Sequence, residues 1–260
     1  MSAVASISLE PTAAQEYLLR IADTCLIHAQ RLGEWCGHAP ILEEDIALTN
    51  LALDHVGQAR ALLTHIGGPQ FDEDQLAFLR DERDYRNATI VELPGRRAGR
   101  DFADAVLRNF LVAAWLREAW AGLQASCDAE VAAIAGKAAK EVRYHLQHAG
   151  EWVVRLGDGT AESARRMQRA LDRLWPYTAE LLEADELDHA AAAAGLGPAR
   201  SAFAAGWAAT VRPVLADAGL TVPADGAFRS TGLQGVHSEH LGYVLAEMQS
   251  LQRSFPGGRW

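Results

Sequence analysis

Apolar residues recur at spacings of three and four along almost the whole chain, alanine and leucine dominate, and runs of β-branched residues are scarce. That period stacks side chains on one face of an α-helix, so the chain is expected to be all-α. The first helix is predicted from about Ala13 to Trp35, ending at Gly37-His38-Ala39-Pro40. The second starts near Glu43, where Glu43, Glu44 and Asp45 place negative charge on the positive helix end, and stops at Gly67-Gly68-Pro69. A shorter helix is expected from Glu73 to Arg86, then a loop at Pro94-Gly95-Arg96-Arg97-Ala98-Gly99. Two more long helices follow, Asp101 to Ser126 and Ala129 to Leu156. Gly157-Asp158-Gly159 is a stop, and Thr160 with Ser163 offers the next N-cap. Beyond it come a helix broken or bent at Pro176, one from Pro198 to Ala218, and a last one from His237 to Phe255.

Four long helices in two hairpins are the pattern of a four-helix bundle. The division expected is a flexible stretch 1–12 and one helical domain 13–260, with a core bundle 13–157 and additional C-terminal helices 160–255. Ala190 to Gly197 is a local break within that domain.

The bundle seams carry the candidate chemistry. The second helix presents Leu48, Ala52, His55, Ala59, Leu62 and Ile66 on one face. The fourth presents Val131, Ile134, Ala138, Val142, His145, Ala149, Trp152 and Leu156, and the first presents Leu18, Ile21, Cys25, His28, Leu32 and Trp35. Bundles of this shape hold two iron ions by a Glu from each of two helices and a Glu-x-x-His pair from each of the other two. Here the histidines are present at His55 and His145, but the position three residues earlier is Ala52 in one helix and Val142 in the other. Asp23, Glu16 and Glu34 fall on the far side of the first helix. Glu43, Glu44, Asp45 and Asp54 are read as helix-start charge and surface. The third long helix is apolar almost all round, and Glu118 is its one candidate inward carboxylate. Two irons need several anionic oxygens. One Glu with two or three His suits at most a single zinc ion. The plainer reading is a buried, hydrogen-bonded polar cluster of His28, His55, His145 and Glu118, a di-iron scaffold without its iron.

Composition narrows the function classes. With 24 basic and 34 acidic residues the net charge is −10, which argues against a nucleic-acid partner. Three cysteines, Cys25, Cys36 and Cys127, without a CxxC spacing suit a reducing compartment. The N-terminus lacks the basic and apolar regions of a signal peptide, and no apolar run of membrane-spanning length occurs.

The segments EWCGHAPILEEDIALTNLALDHVGQARALL, LAFLRDERDYRN, KAAKEVRYHLQHAGEWVVRLGDGTAESARRMQRALDRLWPYT and HSEHLGYVLAEMQSLQRSFPGGRW resemble the PaaC family. These are the C subunits of the phenylacetyl-CoA 1,2-epoxidase (ring-1,2-epoxidase) of bacterial aerobic phenylacetic acid degradation. The resemblance runs from about Tyr17 to Trp260. It implies a ferritin-like, cytoplasmic, non-catalytic structural subunit of a multicomponent di-iron monooxygenase. It further implies a homologous catalytic A subunit holding the di-iron centre and the CoA thioester, a small bridging B subunit, and a reductase drawing on NADPH. The resemblance brings no catalytic, cofactor-binding or metal-binding residue to this chain.

Other features have simpler accounts. His237, Ser238 and His240 open the last helix and are read as capping plus interface. The charged run from Leu79 to Arg86 is read as solvated ion pairs or a partner contact. No Gly-x-Ser-x-Gly elbow is present. Ala105, Val112, Leu116, Ala119 and Leu123 give the third long helix a second apolar face, which must be covered by the C-terminal helices or by a partner. Two further readings stay open: a metal-dependent oxygenase or oxidase acting alone through a His-rich bundle site, and a homodimeric ferritin-like binding module.

Overall fold

A computed structural model describes residues 6–95, 101–256 and 258. Among these, the structure is helical, with a single isolated β-bridge between Thr231 and Val236 and no strand. The bundle comprises α1 (Ala13–Gly33), α2 (Leu42–Gly67), α4 (Phe102–Leu123) and α5 (Ala129–Gly157), with the short α3 (Glu73–Phe78) in the connection. The pairs α1–α2 and α4–α5 form the two expected hairpins. The tail supplies α6 (Ala161–Leu174), α7 (Thr178–Leu182), α8 (Glu186–Ala193), α9 (Ala204–Asp217), α10 (Glu239–Met248) and α11 (Ser250–Ser254). Of the loop expected at 94–99, residues 96–99 lie outside the described residues. So do residues 1–5 of the stretch expected to be flexible, whereas Ile7 and Leu9 pack against the core.

Local chemistry sets the helix boundaries. Thr12 caps α1 and Thr160 caps α6, each in a reciprocal capping box, with Gln15 and Ser163 respectively. Asp128 caps α5 by accepting from the Glu130 and Val131 amides. Between α1 and α2 the Asp45 carboxylate accepts from the Gly37 and His38 amides at 2.7 and 3.2 Å, which closes that turn. Gly157 ends α5 against the Ala218 carbonyl, where any Cβ would collide with the backbone. Pro176 starts a 3₁₀ turn, Trp175–Tyr177, and so bends the tail where expected.

α4 is buried on all its faces. α5 covers one side, and α6, α9 and the 3₁₀ turn Arg200–Phe203 cover much of the rest. The second apolar face of Ala105, Val112, Leu116, Ala119 and Leu123 is thus covered by the chain itself. Trp207 of α9 donates its indole N–H to the Leu111 carbonyl at 3.1 Å, which fixes the tail on α4.

The expected helix from Glu73 to Arg86 stops at Phe78; in the run from Leu79 to Arg86, Asp81, Glu82 and Arg83 are exposed as expected, but Arg80 and Tyr85 are buried. Arg80 is fully buried and makes two bonds to Asp23, which is equally buried. Its guanidinium lies 4.3 Å over the Tyr85 ring and also reaches the Leu76 and Asp84 carbonyls at 2.5 and 3.1 Å. The helix ends with the Leu79 amide donating to the Gln75 carbonyl, and Arg80 turns inward just beyond it. Asp23 does point away from the bundle centre as expected, but this connection buries it.

Other carboxylates fasten the tail in the same way. Glu92 accepts from Asn87 and the Ser238 amide at 2.9 and 2.7 Å and faces His237 at 2.6 Å. Glu180 accepts from the Thr89 and Leu233 amides, both at 2.9 Å, and from the Ser230 hydroxyl at 2.6 Å. Asp188 receives Arg20 at 3.1 Å and Arg200 at 2.7 Å. His237 is therefore an internal anchor and not an interface residue. Ser238 alone supplies the cap of α10, accepting from the His240 amide.

Replacing Asp23 by Ala strands a buried guanidinium, and breaking a buried pair in this manner costs about 3–5 kcal/mol. Urea denaturation followed by circular dichroism should register a loss of that size. A loss under about 1 kcal/mol would mean that Arg80 finds water or another partner.

Candidate functional site

The bundle centre takes one imidazole from each of three helices: His28 of α1, His55 of α2 and His145 of α5, all fully buried. Each stands on the apolar seam that its spacing predicts. His28 and His55 meet edge to face with ring centroids 5.0 Å apart, and His55 and His145 meet in the same way at 4.7 Å. The stack is closed at both ends by polar groups. On α4, Asn109 Oδ1 lies 3.1 Å from His28 Nε2, and on α2, Asp54 Oδ2 lies 2.9 Å from His145 Nε2. The series Asn109, His28, His55, His145, Asp54 thus crosses all four bundle helices.

This is only partly the hydrogen-bonded cluster expected. Both ring nitrogens of His55, and Nδ1 of His28 and of His145, have no hydrogen-bond partner among the described residues. Burial pushes His28 down to about 3, and the Arg108 guanidinium adds to the shift, with the Asn109 contact opposing it. Burial lowers His55 well below the ordinary histidine range, assisted by its His145 and His28 neighbours. Gln58, one turn along, opposes that shift, but its side chain is committed to Glu141 at 3.0 Å and Cys25 at 3.6 Å. Burial also lowers His145, against the pull of Asp54. All three rings are neutral at neutral pH.

Glu118 is not part of this cluster. It is partly exposed, bonds Arg117 at 2.5 Å, and packs against Gly206 of α9, where an added Cβ would collide with its carboxylate. The error has a simple origin: on a helix apolar all round, no seam identifies the inward side. Asp54 and Glu44, read as surface and helix-start charge, instead bridge α2 to α5, and Glu44 is buried with its carboxylate 2.9 Å from His148 Nε2. Asn109, Gln58 and His148 are not assigned to this site by the seam pattern, and Glu141, at the flank of the fourth seam, bonds Gln58. For Gln58 and His148 the signal available was their place at the margin of the second and fourth seams; Asn109 sits on the apolar α4, which has no seam to mark it.

The donor set does not fit a di-iron centre. Ala52 and Val142, both buried, stand where each Glu-x-x-His pair needs its carboxylate. Among the described residues, no group of three or more His, Cys, Asp or Glu could hold a metal ion. No helix among them is long and apolar enough to cross a membrane.

Comparison with known proteins agrees with the all-α fold. The PaaA_PaaC family, described as phenylacetic acid catabolic protein, matches residues 4–260. The C subunit of the 1,2-phenylacetyl-CoA epoxidase from Escherichia coli (strain K12) is 46 % identical over 246 residues, 94 % of this chain and 98 % of that relative.

A histidine whose folded pKa is depressed binds its proton more readily in the unfolded chain, so it favours the folded state most fully above the unfolded value of about 6.5. That stability is lost as pH falls from there toward the folded value, about 3 for His28. Tm should therefore decline between pH 7 and 4. His55→Leu, which removes two unpartnered nitrogens, should flatten that decline. An unchanged slope in the variant would show that His55 does not contribute to it.

Proposed function

The chain belongs to the family of phenylacetic acid catabolic proteins, and from that premise we propose that it is the structural C subunit of a multicomponent phenylacetyl-CoA epoxidase. In this reading it contributes no catalytic group. It stabilises a homologous A subunit that carries the di-iron centre and the CoA thioester, alongside a small B subunit and an NADPH-linked reductase, in the cytoplasm. The observation that carries the non-catalytic half is the donor set at the bundle centre. Three imidazoles persist there, while Ala52 and Val142 occupy the carboxylate positions and Glu118 is turned to α9.

Physical chemistry supports a scaffold over an isolated oxygenase. Di-iron chemistry needs anionic oxygens to offset the metal charge. The stack provides one carboxylate, Asp54, on its outer end and already engaged with His145. The neutral, edge-stacked rings serve as space-filling polar core. A net charge of −10 speaks against nucleic acid as a partner.

Co-expression and size-exclusion chromatography test the partnership. The chain and the homologous A subunit should co-elute at micromolar concentration, and separate elution would remove the partner claim. Iron analysis tests the other half. The chain purified alone should retain far less than one iron per protein after dialysis. Near-stoichiometric iron, lost in His55→Ala and His145→Ala, would establish a metal site of its own.

A further inference from the structure

Between α5 and α9 lies a groove of about 610 Å³, walled by Leu146, Gly150, Val154, Thr210 and Val214. Its floor is Phe110 of α4, a ring otherwise enclosed. The volume falls within the range of small-molecule sites, about 300–1,000 Å³. Thr210 commits its hydroxyl to the Gly206 carbonyl of its own helix at 2.9 Å, so the walls offer an incoming group mainly apolar surface.

Two features of this groove are not required by the packing of the chain. The first is charge. Arg143, Glu151 and Arg155 line it, a positive balance in a chain whose net charge is −10. Glu151 accepts from Gln147 at 2.9 Å and is in no ion pair among the described residues. Arg155 lays its guanidinium over the Trp152 ring, 4.7 Å from the centroid. Arg143 is exposed and has no ion pair or hydrogen-bond partner among the described residues. The second feature is Gly150, buried inside α5, where glycine is less stable than alanine because folding restricts its backbone more. A Cβ there would lie 3.4 Å from the Phe110 ring and 3.9 Å from Val214, both ordinary contact distances. Alanine would fit, so the fold does not demand the glycine. What alanine would remove is depth over Phe110.

We propose that the groove binds a small amphipathic anion, its apolar body over Phe110 beside Gly150 and its acidic group at Arg143. Gly150 and Arg143 stand two turns apart on α5, about 10 Å. That reach suits an arene of two or three rings, or a medium-length acyl chain, ending in one acidic group. An inorganic anion would leave the apolar walls unused, and a neutral arene would leave Arg143 without a partner. The inference goes beyond the subunit reading and does not rest on it.

Anilinonaphthalene sulfonate, an arene body with one anionic group, is the probe. The full chain at neutral pH should bind one dye saturably at micromolar concentration, read as enhanced fluorescence. Arg143→Ala, at an exposed position, should weaken the dye about 10-fold and leave its uncharged relative phenylnaphthylamine unaffected, since only the dye loses a charge-assisted bond. Gly150→Ala should weaken both about 10-fold, with a Tm equal to or above that of the unaltered chain. Leu53→Asp is the control. It lies on another apolar surface open to a dye, the exposed stripe of Leu42, Ile46, Leu53 and Val56 on α2, and should change neither affinity. Absence of a saturable one-to-one site, or unchanged dye affinity in Arg143→Ala and Gly150→Ala, overturns the inference. Loss of the dye in Leu53→Asp places it on α2 and overturns it equally. If no dye binds while Arg143→Ala breaks co-elution with the A subunit, the groove takes a protein and the inference is wrong.

Discussion

α4 has no face that it can show to water, and most of the architecture follows from that constraint. Its residues from Ala103 to Leu116 are buried without a break. A helix of this kind must be enclosed, and the hairpin partner α5 can cover only one side. The tail supplies the remainder: α6, α9 and the Arg200–Phe203 turn pack on α4, and Trp207 is pinned to its Leu111 carbonyl. Because the tail is occupied with α4 and α1, it does not reach the outer side of α2. The exposed apolar stripe on α2 is thus a consequence of how α4 is buried.

Buried charge does the fastening. Asp23, Glu92, Glu180 and Asp188 each accept several hydrogen bonds from segments far away in sequence, and each sits at a joint between the bundle and the connection or tail. Burying a carboxylate is costly unless its lone pairs are matched. Once matched, it holds its neighbours in a single arrangement. These four carboxylates are buried at the joints of the fold, while three imidazoles fill its centre.

That distribution bears on function. At the bundle centre the three neutral rings stack edge to face, an interaction of apolar bodies with weakly polar edges. Such a core can be dry and still accommodate histidine, at the expense of unpartnered nitrogens and of stability in acid. It supplies shape to the bundle. The relative from Escherichia coli is named as one subunit of an epoxidase, and a scaffold's contribution to such an assembly lies in its surfaces.

The helix period, the caps at Thr12, Asp128 and Thr160, and the break at Pro176 were legible because they depend on neighbours within one or two turns. So were the seams that turn His28, His55 and His145 inward, and the absent carboxylates at Ala52 and Val142. Glu118 was misplaced because an all-apolar helix carries no marker of its inner side, and only the packing of α9 against it decides. Arg80 and Asp23 are 57 residues apart, and nothing in the local pattern tells a buried pair from two solvated charges. The same holds for Glu44, Asp54 and Glu92, whose partners lie 104, 91 and 145 residues away. Sequence by itself determined the helices and their apolar faces, since periodicity and residue type are local. Tertiary structure alone decided which charges are buried and which apolar face stays open, since both depend on what packs against them.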